Sequence, residues 1–229
     1  MTVTNRFVDE VGTGHLSRAA ATIYRWMVLA AFLALCGAPT VLAWVALGLT
    51  EGASPVLYVA ALLAVAPALS AALFGQRAWA EEPDLRPARP LWRGLVRNAK
   101  DVLVWWAPVL AAAAVLVVNV LAGDAAPGGA ILRPIAVVLL VVLLLWAGHL
   151  LVVTSYFAFR TRDAMRIAAA EFFTQWRTTL GFASLMFVAA TVVTLASEAV
   201  LLLCAWAFAL VLRVISRPVE TDVKSRFTR

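Results

Sequence analysis

The chain has little charge and few of the residues that carry chemistry. Only 14% of its 229 residues are Asp, Glu, Lys or Arg, whereas about a quarter are charged in soluble domains. Its two cysteines, Cys36 and Cys204, and its two histidines form no metal-site or disulfide spacing. The enzyme signatures HExxH, GxSxG and GxxxxGK are missing. We therefore expect no enzyme activity, no cofactor and no metal.

Apolar residues fill the space that charged residues leave. They make up 63% of the chain, and the mean hydropathy is +0.90. A water-soluble fold does not cover that much apolar surface, so we expect the lipid bilayer to be the solvent. A net charge of +6 in such a chain indicates anionic lipid and cytosolic loops rather than nucleic acid. Residues 1–23 contain Asp9 and Glu10 and lack a short apolar core, which argues against a cleaved signal peptide.

Long apolar runs predict six membrane-spanning helices. A helix needs roughly 20 apolar residues to cross the hydrocarbon. The last run, 180–215, would be about 54 Å long as one helix, so we expect a tight turn at Glu198, its only acid. The predicted fold class is all-α, a polytopic membrane protein in one domain over 1–229. The predicted spans are 24–49, 55–74, 102–122, 134–159, 180–196 and 199–215.

The distribution of Lys and Arg predicts the orientation of the helices. With six spans and a cytosolic N-terminus, 18 of the 19 Lys and Arg residues, all except Arg133, lie in cytosolic segments or at cytosolic helix ends. Five spans would put the basic C-terminal tail outside. Because Lys and Arg are enriched in cytosolic loops, we expect six spans and two cytoplasmic termini.

Basic segments containing tryptophan precede the first, third and fifth spans. We predict amphipathic helices in the plane of the interface at 90–101 and 163–177, with Glu171 on the polar face of the second. The pattern fits three repeats, in each of which a basic amphipathic segment, here called an elbow, precedes a hairpin of two spans. It fits equally well cytosolic loops that each contain an interfacial helix. The residues expected at the lipid headgroups are Trp92, Arg93, Arg97, Lys100, Arg166, Trp176 and Arg177.

Few polar side chains lie within the predicted spans. His149 is the only ionisable residue well inside one, where such groups are costly and often functional. It is either a neutral histidine bonded to a backbone or hydroxyl group, or a proton or substrate site. Asn119 is interpreted as an interhelical hydrogen bond. The candidate polar intramembrane site consists of His149, Asn119, Thr154 and Tyr156.

A patterned segment spans residues 62–101. An apolar stretch rich in small residues ends in an aromatic residue, an acidic patch follows, and an aromatic-basic helix with an asparagine comes next. The residues are Pro67, Ala68, Ser70, Ala71, Ala72, Leu73, Phe74, Glu81, Glu82, Trp92, Arg93, Arg97 and Asn98. This pattern resembles the YesL-like family of bacterial membrane proteins. Trp92 stands where that family usually has Phe, and the insert PDLRPARP lengthens the loop.

The resemblance implies a context rather than a mechanism. It implies the bacterial plasma (inner) membrane and genes that neighbour carbohydrate ABC-transporter and glycoside hydrolase genes, and it brings no catalytic residues. The expected function is an accessory or scaffold component of carbohydrate uptake, with sugar ABC-transporter permease subunits as candidate partners. The alternative is a small-solute transporter or channel with a polar site near the fourth span. The ligand and the oligomeric state stay open.

Overall fold

The computed structural model describes residues 15–81, 86–122, 129–157 and 159–227. The described residues contain helices and no strand. Glu82 and the first three residues of the proline-rich insert, 83–85, as well as residues 1–14, lie outside the described residues. A 3₁₀ turn, Ala61–Ala64, joins the second and third helices. The helices are α1 (His15–Gly48), α2 (Pro55–Ala60), α3 (Val65–Glu81), α4 (Ala88–Ala122), α5 (Gly129–Tyr156), α6 (Thr161–Thr174), α7 (Trp176–Leu195) and α8 (Glu198–Phe227).

Six helical segments are long and apolar enough to cross a membrane. They are α1, the α2–α3 unit, α4, α5, α7 and α8, so the predicted all-α polytopic fold is confirmed. Large apolar side chains cover the outside of this bundle: Leu35 is 72% exposed, Leu42 is 68% exposed and Phe187 is 74% exposed. A surface of this kind needs lipid around it, because contiguous apolar patches of this extent are rare on monomeric soluble proteins.

The second span is interrupted before Pro67. Proline has no N–H to donate to the preceding helical turn, and the chain tightens to a 3₁₀ turn at this point. Side chains of α1 and α4 donate hydrogen bonds to backbone carbonyls in and beside the turn, which satisfies polar groups that lipid cannot. The bonds run from Trp44 Nε1 to the Tyr58 carbonyl (2.8 Å), from Thr40 Oγ1 to the Ala61 carbonyl (2.8 Å) and from Trp106 Nε1 to the Leu62 carbonyl (3.0 Å).

Helix α3 lies in the centre of the bundle and contacts α1, α4, α5 and α8. Its buried positions are mostly small residues, which allow neighbouring helices to approach closely. The contact with α4 is reciprocal: Gly75 of α3 faces Leu91, and Gly94 of α4 faces Phe74. A Cβ atom at Gly94 would lie 3.0 Å from Phe74 Cβ. This close approach sets the position of the first turns of α4 against the end of α3.

The long apolar run 180–215 is broken as predicted. Helix α7 ends at Leu195 and α8 begins at Glu198. The Ser197 hydroxyl accepts a hydrogen bond from the Val200 N–H at 3.3 Å, which caps the new helix. Glu198 lies in the first turn of α8, where a negative charge is favourable at the helix N-terminus. The turn itself consists of the two preceding residues, 196–197.

The interfacial helices differ from the prediction. The segment 90–101 is not a separate helix but the first turns of α4, which continues to Ala122. No proline or glycine lies between Gly94 and Pro108 to end the helix. The segment 163–177 does form a short helix, α6, but the backbone breaks at Gln175 (φ −100°, ψ 53°), so Trp176 begins α7. The elbows preceding the first and third spans are continuous with those spans and the remaining one is separate, so the three do not share one conformation.

Candidate functional site

Polar side chains of four helices meet at one end of the bundle. The C-terminal ends of α3, α5 and α8 and the first half of α4 meet there. The distribution of Lys and Arg predicts that this end faces the cytosol. We call the group Ser70, Arg77, Asn98, Tyr156 and Glu220, with the side chains bonded to it, the polar end. Its parts are a buried hydrogen-bond chain, an ionic cluster and a cavity.

The hydrogen-bond chain joins α3, α4 and α5 through buried side chains. Asn98 Nδ2 donates to Ser70 Oγ at 3.2 Å, and Ser155 Oγ lies 2.9 Å from Ser70 Oγ and 2.5 Å from the Leu151 carbonyl. That carbonyl only accepts, so the single Ser155 proton goes to it and the Ser70 proton completes the contact between the two hydroxyls. Ser70 therefore accepts from Asn98, which fixes the orientation of the amide.

Asn98 is consequently held with its amide nitrogen toward α3. Its side chain belongs to a residue that is 8% exposed, and its amide oxygen accepts no hydrogen bond from any described residue. The Asn98 oxygen is not among the fully buried side-chain atoms that lack a partner, so it is accessible and can accept a hydrogen bond from water or a ligand.

The ionic cluster surrounds the end of α5. Arg77 donates to the backbone carbonyl of Tyr156 at 3.1 Å, which satisfies a carbonyl at the C-terminus of that helix. The Tyr156 ring lies between two guanidinium groups, 5.6 Å from Arg77 Cζ and 5.0 Å from Arg213 Cζ. Its hydroxyl lies 3.3 Å from Ser216 Oγ. Tyr156 thus joins α5 to both α3 and α8.

Glu220 is the carboxylate at the centre of this cluster. Its side chain is 11% exposed and lies 3.0 Å from Arg213, 2.9 Å from Lys224 and 3.6 Å from Arg77. Arg77 has a second carboxylate partner in Glu81, at 2.9 Å on the surface. Three cations therefore share one nearly buried acid, which ties the C-terminal part of α8 to α3.

A cavity of about 310 Å³ opens between α3, α4 and α5 beside these groups. We call it the α3–α4–α5 cavity. A volume of this size is at the lower end for small-molecule sites. Its lining combines charged, amide and aromatic groups and includes Phe74, Arg77, Glu81, Arg97, Asn98, Asp101, Thr154, Ser155, Tyr156 and Phe157.

The predicted polar intramembrane site does not form one site. Thr154 and Tyr156 line the α3–α4–α5 cavity, although the Thr154 hydroxyl is engaged with the Leu150 carbonyl at 2.8 Å. Asn119 is exposed near the other end of α4 and donates to its own helix, to the Val115 carbonyl at 2.8 Å. The expected interhelical bond of Asn119 is therefore replaced by an intrahelical one.

His149 lies apart from the cavity and contacts the junction of α6 and α7. The Thr179 hydroxyl donates to the Phe172 carbonyl at 3.0 Å across the break at Gln175, and His149 Nε2 lies 2.9 Å from the same hydroxyl oxygen. Because the hydroxyl has one proton, His149 Nε2 is the donor in this contact. Its Nδ1 is buried with no partner among the described residues, so a proton there would lack an acceptor. The geometry fits a neutral ring bonded to a hydroxyl.

The residues expected at lipid headgroups are on the surface of the molecule. Arg93, Lys100 and Arg166 are exposed, and Trp92 and Trp176 are 62% and 58% exposed. The Arg177 guanidinium lies over the Trp176 ring at 5.5 Å. Arg97 is exposed and also lines the α3–α4–α5 cavity, with its guanidinium 5.8 Å from the Phe74 ring centre. Glu171, assigned to the polar face, is instead buried at 2% exposure.

Arg77 and Glu220 were not expected at a site. Asn98 was noted only as part of the family pattern, although a signal was present. It lies seven residues after Leu91 and four before Val102, on the face of α4 that the structure buries. A polar residue in register with an apolar stripe indicates a buried polar contact. Arg77 and Glu220 are far apart in sequence, and nothing local joins them.

Comparisons with known proteins add no identity: the chain matches no family model, no curated protein and no solved structure. Among the described residues, no group of three or more His, Cys, Asp or Glu side chains is placed to hold a metal ion. Cys36 and Cys204 are half-buried free thiols. The polar end and its cavity are therefore the features from which a function is argued.

Proposed function

We propose that the protein is an accessory or scaffold component of carbohydrate uptake in the bacterial plasma membrane. It acts without catalysis, with both termini in the cytoplasm, and its partners are sugar ABC-transporter permease subunits. The pattern in residues 62–101 that resembles the YesL-like family supports this context. The observation that carries the proposal is the concentration of polar groups at one end of the bundle.

The rest of the bundle interior supports a scaffold more than a conduit. Beyond the polar end, the core between α4 and α5 is packed with apolar side chains, including Trp105, Val109, Leu110 and Leu145. A path for a sugar needs several hydrogen-bonding groups along its length. The polar end, in contrast, is exposed to a partner on the predicted cytosolic side.

Photo-crosslinking in cells tests the proposal. A photoreactive amino acid at Trp92 (62% exposed) samples the polar end, and one at Leu121 (64% exposed) samples the opposite end of the same helix. We expect an adduct with a permease subunit from position 92 and not from position 121, and slower sugar uptake when the gene is deleted. Equal adducts from both positions would contradict the proposal. So would unchanged uptake, in the deletion strain, of every carbohydrate whose uptake genes lie next to this gene.

A small-solute transporter is the second candidate, and the α3–α4–α5 cavity favours it. Thr154 and Tyr156 of the fourth span line this cavity together with Arg97. The test is uptake of labelled sugars into liposomes that contain the purified protein alone. Uptake that saturates without a permease would favour the transporter, whereas uptake that requires the permease would favour the scaffold.

A further inference from the structure

Two opposite charges in the α3–α4–α5 cavity have no ion-pair partner among the described residues. Arg97 and Asp101 both line it and lie one helical turn apart on α4. Among the described residues no ion pair joins them to each other or to any other group. The other two charged residues in the lining, Arg77 and Glu81, form an ion pair with each other at 2.9 Å. The cavity therefore offers one free cation and one free anion.

A third group in the lining of this cavity has an open hydrogen-bonding position. Asn98 lines the cavity, its amide nitrogen is committed to Ser70, and its amide oxygen has no donor among the described residues. The lining thus presents a guanidinium donor, from Arg97, and two oxygen acceptors, from Asn98 and Asp101. Side chains four apart on a helix have Cβ atoms about 5–6 Å apart, so one small ligand reaches both.

This arrangement selects a zwitterion over simpler ligands. A lone anion would satisfy Arg97 but would be repelled by Asp101, and a neutral polyol would leave both charges without a counterion. A phosphate group suits Arg97 because the guanidinium matches phosphate geometry. An ammonium group suits the oxygens of Asn98 and Asp101 because it supplies three donors for these two acceptors. The exposed Trp92 on the same helix turns suits a position at headgroup level.

We propose that the α3–α4–α5 cavity binds the ethanolamine phosphate group. The phosphate contacts Arg97, and the ammonium, two carbons away, contacts Asp101 and the Asn98 oxygen. The group comes either from the headgroup of phosphatidylethanolamine or from free phosphoethanolamine. The inference does not rest on a role in carbohydrate uptake and holds for a scaffold or a transporter.

Calorimetry on the purified full chain in detergent tests the ligand class. The probes are free phosphoethanolamine, inorganic phosphate and ethanolamine. Native mass spectrometry after nanodisc extraction compares bound phosphatidylethanolamine with phosphatidylglycerol. We expect ethanolamine phosphate, free or in the lipid, to bind at least about tenfold more tightly than either half of it or than phosphatidylglycerol, because charge-assisted bonds are worth about 1.5–3 kcal/mol. Binding of both free phosphoethanolamine and phosphatidylethanolamine would show that the cavity accepts the group from either source. Binding of phosphatidylethanolamine alone would assign the lipid headgroup as the ligand.

Charge-removing variants assign the two ends of the ligand. Arg97→Gln should weaken ethanolamine phosphate binding about tenfold or more, whereas Arg89→Gln, at an exposed cation on the same helix outside the cavity lining, should leave it unchanged. Asp101→Asn should weaken ethanolamine phosphate by a similar factor but not inorganic phosphate. Thermal unfolding of each variant confirms folding, and Arg97→Lys, which keeps the charge, should retain part of the binding. Equal affinity for phosphatidylglycerol, or equal losses in Arg97→Gln and Arg89→Gln, would overturn the proposal.

Discussion

The close approach of α3 and α4 makes Gly94 sensitive to a single added carbon. In Gly94→Ala the new Cβ would lie 2.9 Å from Phe74 Cδ1, 3.0 Å from Phe74 Cβ and 3.1 Å from Phe74 Cγ. Rotation of the ring does not relieve the contact with Phe74 Cβ, because that atom is fixed by its backbone. The two helices must move apart, and overpacking of this kind costs about 1–3 kcal/mol.

The expected loss in Gly94→Ala is smaller than the overpacking term alone. Alanine gains about 1 kcal/mol over glycine in a helix interior, so the net decrease in the free energy of unfolding should be about 0–2 kcal/mol. Gly48→Ala is the matched control, because nothing lies within 4 Å of a Cβ at that position. The control should unfold at the same denaturant concentration as the wild type or a higher one.

Denaturation of the purified protein in detergent measures both variants. A double-mutant cycle with Phe74→Leu should give a coupling of at least about 0.5 kcal/mol, since the two residues are in contact. The packing argument fails if Gly94→Ala is as stable as Gly48→Ala, or if the cycle shows no coupling. A shift of α4 would also displace Arg97, one turn farther on, so Gly94→Ala should bind ethanolamine phosphate less tightly.

Two other side chains give contrasting predictions. Glu220→Gln removes a carboxylate shared by three cations and should lower the free energy of unfolding by about 3 kcal/mol. Glu81→Gln, at an acid that is 60% exposed, should lower it by less than about 1 kcal/mol. Similar losses for the two variants in chemical denaturation would refute the central role of Glu220. His149→Gln keeps a donor for the Thr179 hydroxyl and should leave both stability and sugar uptake nearly intact, because such a bond is worth about 0.6 kcal/mol in a bilayer. A well-expressed His149→Gln protein that abolishes uptake would show that His149 has a proton or substrate role.

The spans could be predicted from the sequence because they depend on local composition. Apolar runs of the required length mark six helices, and the single acid Glu198 marks the break in the last run. The break is placed by two local effects, since Ser197 caps α8 and a helix through 180–215 would be too long for the bilayer. Both effects can be recognised without knowing what the helices contact.

The elbows were harder to predict because helix continuity and burial depend on neighbours. A basic amphipathic pattern at 90–101 indicates a helix but does not say whether it ends before the span, and α4 continues through it. Glu171 was assigned to the polar face by spacing alone, yet it is buried where α6 packs against the bundle. Periodicity therefore predicted a helix at both elbows. It did not predict that the helix at 90–101 continues into the third span, or that Glu171 in the other elbow is buried.

The polar end could not be predicted because its parts come from distant segments. Ser70 and Ser155 are 85 residues apart, and Arg77 and Tyr156 are 79 apart. Each of these residues is unremarkable in its own segment, and their association follows from the packing of α3 against α4 and α5. Thr154 and Tyr156 were selected because they are polar and near His149, but the structure separates them from His149.

Cysteine accessibility in cells tests most directly the claim that the polar end faces the cytosol. In a background with Cys36→Ala and Cys204→Ala, one cysteine is placed at Thr221, an exposed position on α8 beside Glu220, and another at Glu51, in the exposed connection between α1 and α2. We predict that a membrane-impermeant maleimide labels Glu51→Cys in intact spheroplasts and labels Thr221→Cys only after the membrane is permeabilised. Ready labelling of Thr221→Cys in intact spheroplasts would put the polar end outside and contradict both the six-span orientation and the cytosolic scaffold.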